Sequence, residues 1–131
     1  MRATLLALVV LLVAGCLGAP SPPATATSGF YGVAMLGPTC PVQRDPPDPA
    51  CADKPYNGTL ALTTSDGART VTTFQPDAQG AFNVSVAPGT YDVQRADAGA
   101  SSLPRCAAER PIVVTQGAWT LANVSCDTGI R

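Results

Sequence analysis

Residues 74–93 read FQPDAQGAFNVSVAPGTYDV, and this stretch carries the strongest structural signal in the chain. Phe82, Val84 and Val86 alternate with Asn83 and Ser85, so an extended backbone puts apolar side chains on one face and polar ones on the other. Tyr91 and Val93 repeat the alternation against Thr90, Asp92 and Gln94. Asp77 to Gly80 precede the first run and Pro88-Gly89 separate the two. These residue types turn a chain because Pro presets φ, Gly tolerates positive φ and Asp bonds to nearby backbone. Half-buried strands with one wet face point to antiparallel sheet.

The same period extends in both directions. Candidate strands cover 30–36, 59–64, 70–74, 81–86, 90–95, 111–115 and 118–126, seven in all. Leu60 and Leu62 alternate with Thr59, Ala61 and Thr63, Asp66-Gly67 is a hairpin signal, and Gln116-Gly117 offers a tight turn before the last run. Trp119 alternates with Leu121, which favours a core position for the indole over an exposed stacking platform for sugar. The expected fold is all-β: a seven-stranded antiparallel β-sandwich with almost no helix.

The stretch 74–93 resembles the carboxypeptidase regulatory-like, or prealbumin-like, sandwich family. That family's pattern is an acidic turn ending in Gly, an aromatic opening an inward-alternating strand, then Pro-Gly-x-Tyr. Asp77, Gly80, Phe82, Val84, Val86, Pro88, Gly89 and Tyr91 match it, and the likeness extends more loosely over 29–126. The resemblance implies a prealbumin-like fold with a supporting or binding role and no catalytic residues of its own.

At the amino terminus, Arg2 precedes an unbroken apolar run over 3–14. Twelve residues fit the apolar region of an export signal and fall short of the about 20 needed to span a bilayer. The run ends Val13-Ala14-Gly15-Cys16, which resembles the lipobox of bacterial lipoproteins. The resemblance implies that residues 1–15 are removed as a signal peptide and that Cys16 is lipidated, anchoring the chain to a membrane. Two or three acyl chains would make the anchor lasting, since each buried CH₂ contributes about 0.8 kcal/mol. Residues 17–28, LGAPSPPATATS, lack any large apolar side chain after Leu17 and are too poor in burial to offset their ordering entropy. Residues 16–28 thus read as lipidated cysteine plus linker, and 29–131 as the sandwich domain. Leu17 rather than Asp after the modified cysteine is compatible with onward transport to an outer membrane, again by resemblance to lipoproteins.

Four cysteines remain: Cys40, Cys51, Cys106 and Cys126. An even number in a small exported domain reads as disulfides. Of three connectivities, Cys40 with Cys51 and Cys106 with Cys126 are favoured because each pair brackets a local segment. Zinc fails on ligand supply: the chain has no His and no CxxC pair. Asp66, Asp77 and Asp127 could only form calcium loops of unrecognised spacing, and turn capping explains them better.

Charge excludes other classes. Without Arg2 the mature chain holds one fewer than the eight basic residues of the whole, against nine acidic ones scattered singly. No basic surface for nucleic acid results, and the lone Lys54 excludes a polybasic membrane patch. Enzyme chemistry is poorly supplied: no His, one Glu (Glu109), and Ser or Thr hydroxyls that nothing activates. No cofactor is expected. Three Asn-x-Ser/Thr sequences, at Asn57, Asn83 and Asn123, read as chance matches in a chain of this composition.

The segment CPVQRDPPDPAC, residues 40–51, is the leading candidate for recognition. Pro41, Pro46, Pro47 and Pro49 stiffen it, and a Cys40–Cys51 bridge would preorganise Gln43, Arg44, Asp45 and Asp48 for binding. The plainer reading is a stapled connection between sheets that resists proteolysis. The expected role is a lipid-anchored cell-envelope protein with a noncatalytic structural or binding module, whose partner is an envelope protein or polysaccharide. The alternative is an extracellular recognition or inhibitor module acting through the 40–51 loop.

Overall fold

The computed structural model describes residues 27–97 and 102–131. The expected signal peptide, Cys16 and the linker up to residue 26 lie outside the described residues. Ten strands form two packed sheets: β1 (Gly29–Gly37), β2 (Lys54–Pro55), β3 (Leu60–Thr64), β4 (Thr70–Phe74), β5 (Ala81–Ser85), β6 (Gly89–Arg95), β7 (Arg105–Ala108), β8 (Ile112–Val114), β9 (Trp119–Leu121) and β10 (Val124–Asp127). The only helical turn among the described residues is a 3-10 turn at Pro49–Cys51.

The first sheet is organised around β1, the longest strand. Its first half pairs with β5 on one flank and β9 on the other; its second half pairs with β2 and β10, and β7 extends the sheet beyond β10. The second sheet runs β4-β3-β6-β8, every pairing antiparallel. The all-β, two-sheet architecture therefore agrees with the sequence. Two details do not. The strands among the described residues number ten rather than seven, and the first sheet is mixed, because β1 runs parallel to both β9 and β10. A parallel pair has no turn to announce it in the sequence, since its strands are joined by a long crossover.

The run 118–126 is also not one strand. It breaks between β9 and β10 at Ala122 and Asn123, where Asn123 Oδ1 accepts from the Val33 amide at 3.3 Å and the Ala122 amide donates to the Tyr31 carbonyl at 2.8 Å. A side-chain carbonyl has replaced a ladder partner, so the backbone shifts without leaving an amide unbonded. Gly32 permits this, since a Cβ there would collide with the Ala122 carbonyl.

Of the four turns expected from the sequence, one closes a hairpin within a sheet. Asp66-Gly67 joins β3 to β4, with Gly67 at φ 72° and the Asp66 carboxylate accepting from Thr64 Oγ1 at 2.5 Å and the Ala68 amide at 3.0 Å. The turns at Asp77–Gly80, Pro88-Gly89 and Gln116-Gly117 instead carry the chain from one sheet to the other. Asp77 Oδ1 accepts from the amides of Gln79 and Ala81, both at 2.9 Å, and Gly80 stands at φ 79° against the Ala34 carbonyl. After Pro88-Gly89, Tyr91 Oη donates to the Ala87 carbonyl at 2.6 Å, which satisfies the phenol while its ring is buried.

The core lies between the sheets. Phe30, Ala34, Phe82 and Val124 from the first meet Leu60, Leu62, Tyr91, Val93, Ile112 and Val114 from the second. Phe30 packs edge-on against Phe74 and Phe82, with ring centroids 5.6 and 5.7 Å away. The expected alternation fails in β3, where Ala61 and Thr63 are as buried as Leu60 and Leu62. Their side chains are short, and β3 is paired on both flanks, with Ala61 between Thr73 and Gln94 and Thr63 between Thr70 and Asp92.

Both favoured disulfides are present, Cys40–Cys51 and Cys106–Cys126. The second joins directly paired residues of β7 and β10. No helix among the described residues is long and apolar enough to cross a membrane.

Candidate functional site

The stapled loop leaves β1 after Gly37 and returns to it as β2. Its base is held by Thr39 Oγ1, which donates to the Ala52 carbonyl at 3.3 Å, and by Thr128 Oγ1, which donates to the Pro38 carbonyl at 2.6 Å. Asp48 is half-buried and caps the 3-10 turn, accepting from the Ala50 amide at 2.9 Å. That role is structural, so Asp48 is less available to a partner than the sequence suggests. Gln43, Arg44 and Asp45 are exposed. Gln43, Arg44, Pro47, Asp48 and Asp53 border an open hollow of about 410 Å³. No hydrogen bond or ion pair among the described residues engages Arg44, so its guanidinium is free to meet an acceptor.

The carboxy-terminal tail braces the same end of the sheet. Asp127 accepts from the Gly129 amide at 2.8 Å and pairs with Arg131 at 2.8 Å. The Arg131 guanidinium, with help from the Gly129 amide, holds the Asp127 carboxyl down at about 2. A depressed folded-state value means that this contact contributes fully above the ordinary carboxylate range and fades as pH falls from about 4 toward 2. In a carboxyl-carbon NMR titration, Asp127 should titrate near 2 in the native chain and move up toward the ordinary carboxylate range in Arg131→Ala, short of it because the Gly129 amide still donates. Equal midpoints in the two would show that the tail contact is absent in solution.

Trp119 is not in the core. It is 40% exposed and Leu121 is 62% exposed, both on the outer face of the first sheet. The Trp119 ring lies over Gly29, where an added Cβ would come within 2.6 Å of it. A signal for this was present in the sequence. Trp119 and Leu121 are odd positions of the run 118–126, whereas Val124 and Cys126 are even, and one extended run buries only one set. The buried set is Val124 and Cys126.

Nor does the fold bring Trp119 to the loop. Trp119 pairs with Gly29 at the start of β1 and the loop leaves β1 after Gly37, so roughly 26 Å of strand separates them. They form two candidate surfaces. Around the second, Tyr31 is 44% exposed and Val33 is exposed on β1, and Asn83 and Ser85 are exposed on β5. The register places Asn83 opposite Tyr31 and Tyr31 opposite Leu121, while Ser85 stands opposite Gly29 and Gly29 opposite Trp119.

No cluster of three or more His, Cys, Asp or Glu suited to a metal occurs among the described residues. Asp66 and Asp77 serve the turns they lie in. No family model matches the chain, and no curated protein matches it.

Proposed function

We propose that the chain is an exported, lipid-anchored cell-envelope protein whose sandwich has a noncatalytic structural or binding role. The observation that carries this reading is the pair of disulfides, each closing a local segment, because such bridges persist in oxidising compartments outside the cytosol. The lipobox-like Val13-Ala14-Gly15-Cys16 and the Pro-rich tract after it supply the anchor and the leash. The prealbumin-like family is the favoured affiliation, supported by the Asp77 turn, the buried Phe82 and Val84 and the Tyr91 hydroxyl bond across Pro88-Gly89.

Metabolic labelling with an alkyne fatty acid in a bacterial host tests the anchor. The native chain should be labelled and sediment with membranes; Cys16→Ala should lose the label and at least tenfold of the membrane-bound fraction. Recovery of unlabelled native chain in the cytosol with free thiols would overturn the reading.

A second reading, recognition through the 40–51 loop, is favoured by the unengaged Arg44 beside a preformed hollow. A loop closed by a bridge and four prolines gives up less entropy on binding than a flexible one.

A further inference from the structure

Charge is distributed unevenly over the first sheet. β5, β1 and β9 contain no charged residue, and they lie in three uncharged stretches of sequence, 27–43, 78–91 and 111–126. Among the described residues, charges stand at the rim of this face: Glu109 and Arg110 border a groove beside Leu121, and Asp77 holds the turn into β5. The other end of the sheet carries Arg44, Asp45, Asp53, Lys54, Asp127 and Arg131. The face itself offers two aromatic rings, Tyr31 and Trp119, with Leu121 and Val33 around them and Asn83 and Ser85 alongside. The Asn83 amide has no partner among the described residues, and Ser85 Oγ only a long bond of 3.4 Å to the Ser28 carbonyl.

We propose that this face binds an uncharged polysaccharide, with Trp119 and Tyr31 stacking on sugar rings and Asn83 and Ser85 bonding their hydroxyls. The inference rests on the reading of the sandwich as a binding module and assigns it a surface and a ligand class. Its chemistry follows from the face. A pyranose ring has an apolar C–H side that suits the π-face of an aromatic, and a rim of hydroxyls that suits neutral donors and acceptors. A neutral polymer brings no charge to be desolvated without a partner, and this face has none to offer. Two competing occupants fit less well. The exposed parts of the four apolar side chains amount to roughly 350 Å², short of the about 450 Å² of apolar surface in a standard interface of about 800 Å² per partner. An anionic bilayer draws proteins by Lys and Arg beside the apolar residues, and the three strands have neither.

The test is affinity electrophoresis of the full chain in mild detergent, through native gels holding amylopectin, galactomannan or a soluble mixed-linkage β-glucan, with alginate as the charged control. At least one neutral polymer should slow the protein twofold or more and shift the emission of Trp119, the only tryptophan. Tyr31→Ala and Trp119→Ala should each abolish the retardation while circular dichroism and cooperative melting show the sandwich still folded, and Tyr31→Ala keeps the fluorescent reporter. No retardation by any neutral polymer, or retardation by alginate alone, overturns the proposal. Undiminished retardation in both variants overturns it as well; if binding is then lost in Arg44→Ala, the sandwich remains a binding module that acts through its loop. Dimerisation at micromolar concentration, or sedimentation with neutral vesicles, abolished by Tyr31→Ala in the absence of glycan would assign the face to another occupant.

Discussion

Replacing Phe30 with Ala should cost 3–5 kcal/mol, the range expected for deleting a large aromatic side chain from a closed core. Phe30 is fully buried and touches both sheets through its ring contacts to Phe82 and Phe74. Its removal loses the transfer term, the edge-on aromatic contacts, worth about 0.5–1.5 kcal/mol each, and the packing around the hole. β1 cannot move in to fill the space, because its backbone is paired on both flanks. For about 100 folded residues the whole stability is on the order of 5–15 kcal/mol, so the variant sits near its unfolding threshold. In urea the midpoint should fall by roughly 2 M at unchanged slope. Tyr31→Ala is the control one residue away: its side chain is 44% exposed, and losing its cross-strand contacts should cost about 1 kcal/mol or less. Comparable losses in the two variants would mean that β1 presents its faces the other way round.

That contrast also marks what the sequence can and cannot reveal. Strands β3, β5 and β6 were legible because their sequences alternate with a period of two and are bounded by Gly, Pro or Asp, and β4 because the Asp66-Gly67 hairpin signal precedes it, all local properties. The disulfides were legible for the same reason, since each bridges residues near in sequence, 11 and 20 apart. Sheet membership is non-local. Nothing within residues 81–95 says that β5 and β6 belong to different sheets, or that β1 will find β9 and β10 in parallel. The short strands escaped notice because β2 is two residues long, one of them Pro, and β7 has only Cys106 and Ala108 to mark its inner side.

The candidate surfaces were legible to different degrees. A loop bracketed by Cys40 and Cys51 with four prolines stands out by composition alone. The Tyr31 and Trp119 face does not, because its residues come from three strands and its distinguishing property, the absence of charge, emerges only when those strands are laid side by side. Period-two patterning reports which residues share a face; it does not report which face meets the other sheet. A Trp alternating with a Leu reads as core on hydrophobicity, yet the inner positions of β9 are occupied by Thr120 and, next to it, Ala122, both half-buried.

The two disulfides should differ in what they contribute, although a chain-entropy estimate gives each about 3 kcal/mol. Cys106→Ala/Cys126→Ala should cost 3–5 kcal/mol. Both cysteines are buried, so truncation also opens space in the core, and β7 is an edge strand whose only ladder runs to β10. Loosening β7 would further disturb Arg95, whose guanidinium donates to the Leu103 carbonyl at 2.8 Å just before that strand and pairs with Asp97 at 3.0 Å. Cys40→Ala/Cys51→Ala should cost about 1–2 kcal/mol, because the four prolines already restrict the unfolded segment and leave less entropy for the bridge to remove, and because Thr128 and Asp48 hold the loop without it. Urea midpoints followed by circular dichroism measure the difference. Timed alkylation under mild reductant should label Cys40 and Cys51 first, since attack on a disulfide requires access and these two are only half-buried. If the Cys40–Cys51 variant proves the less stable, the loop is a structural part of the sandwich, and its claim to be a recognition element loses the independence from the fold on which it depends.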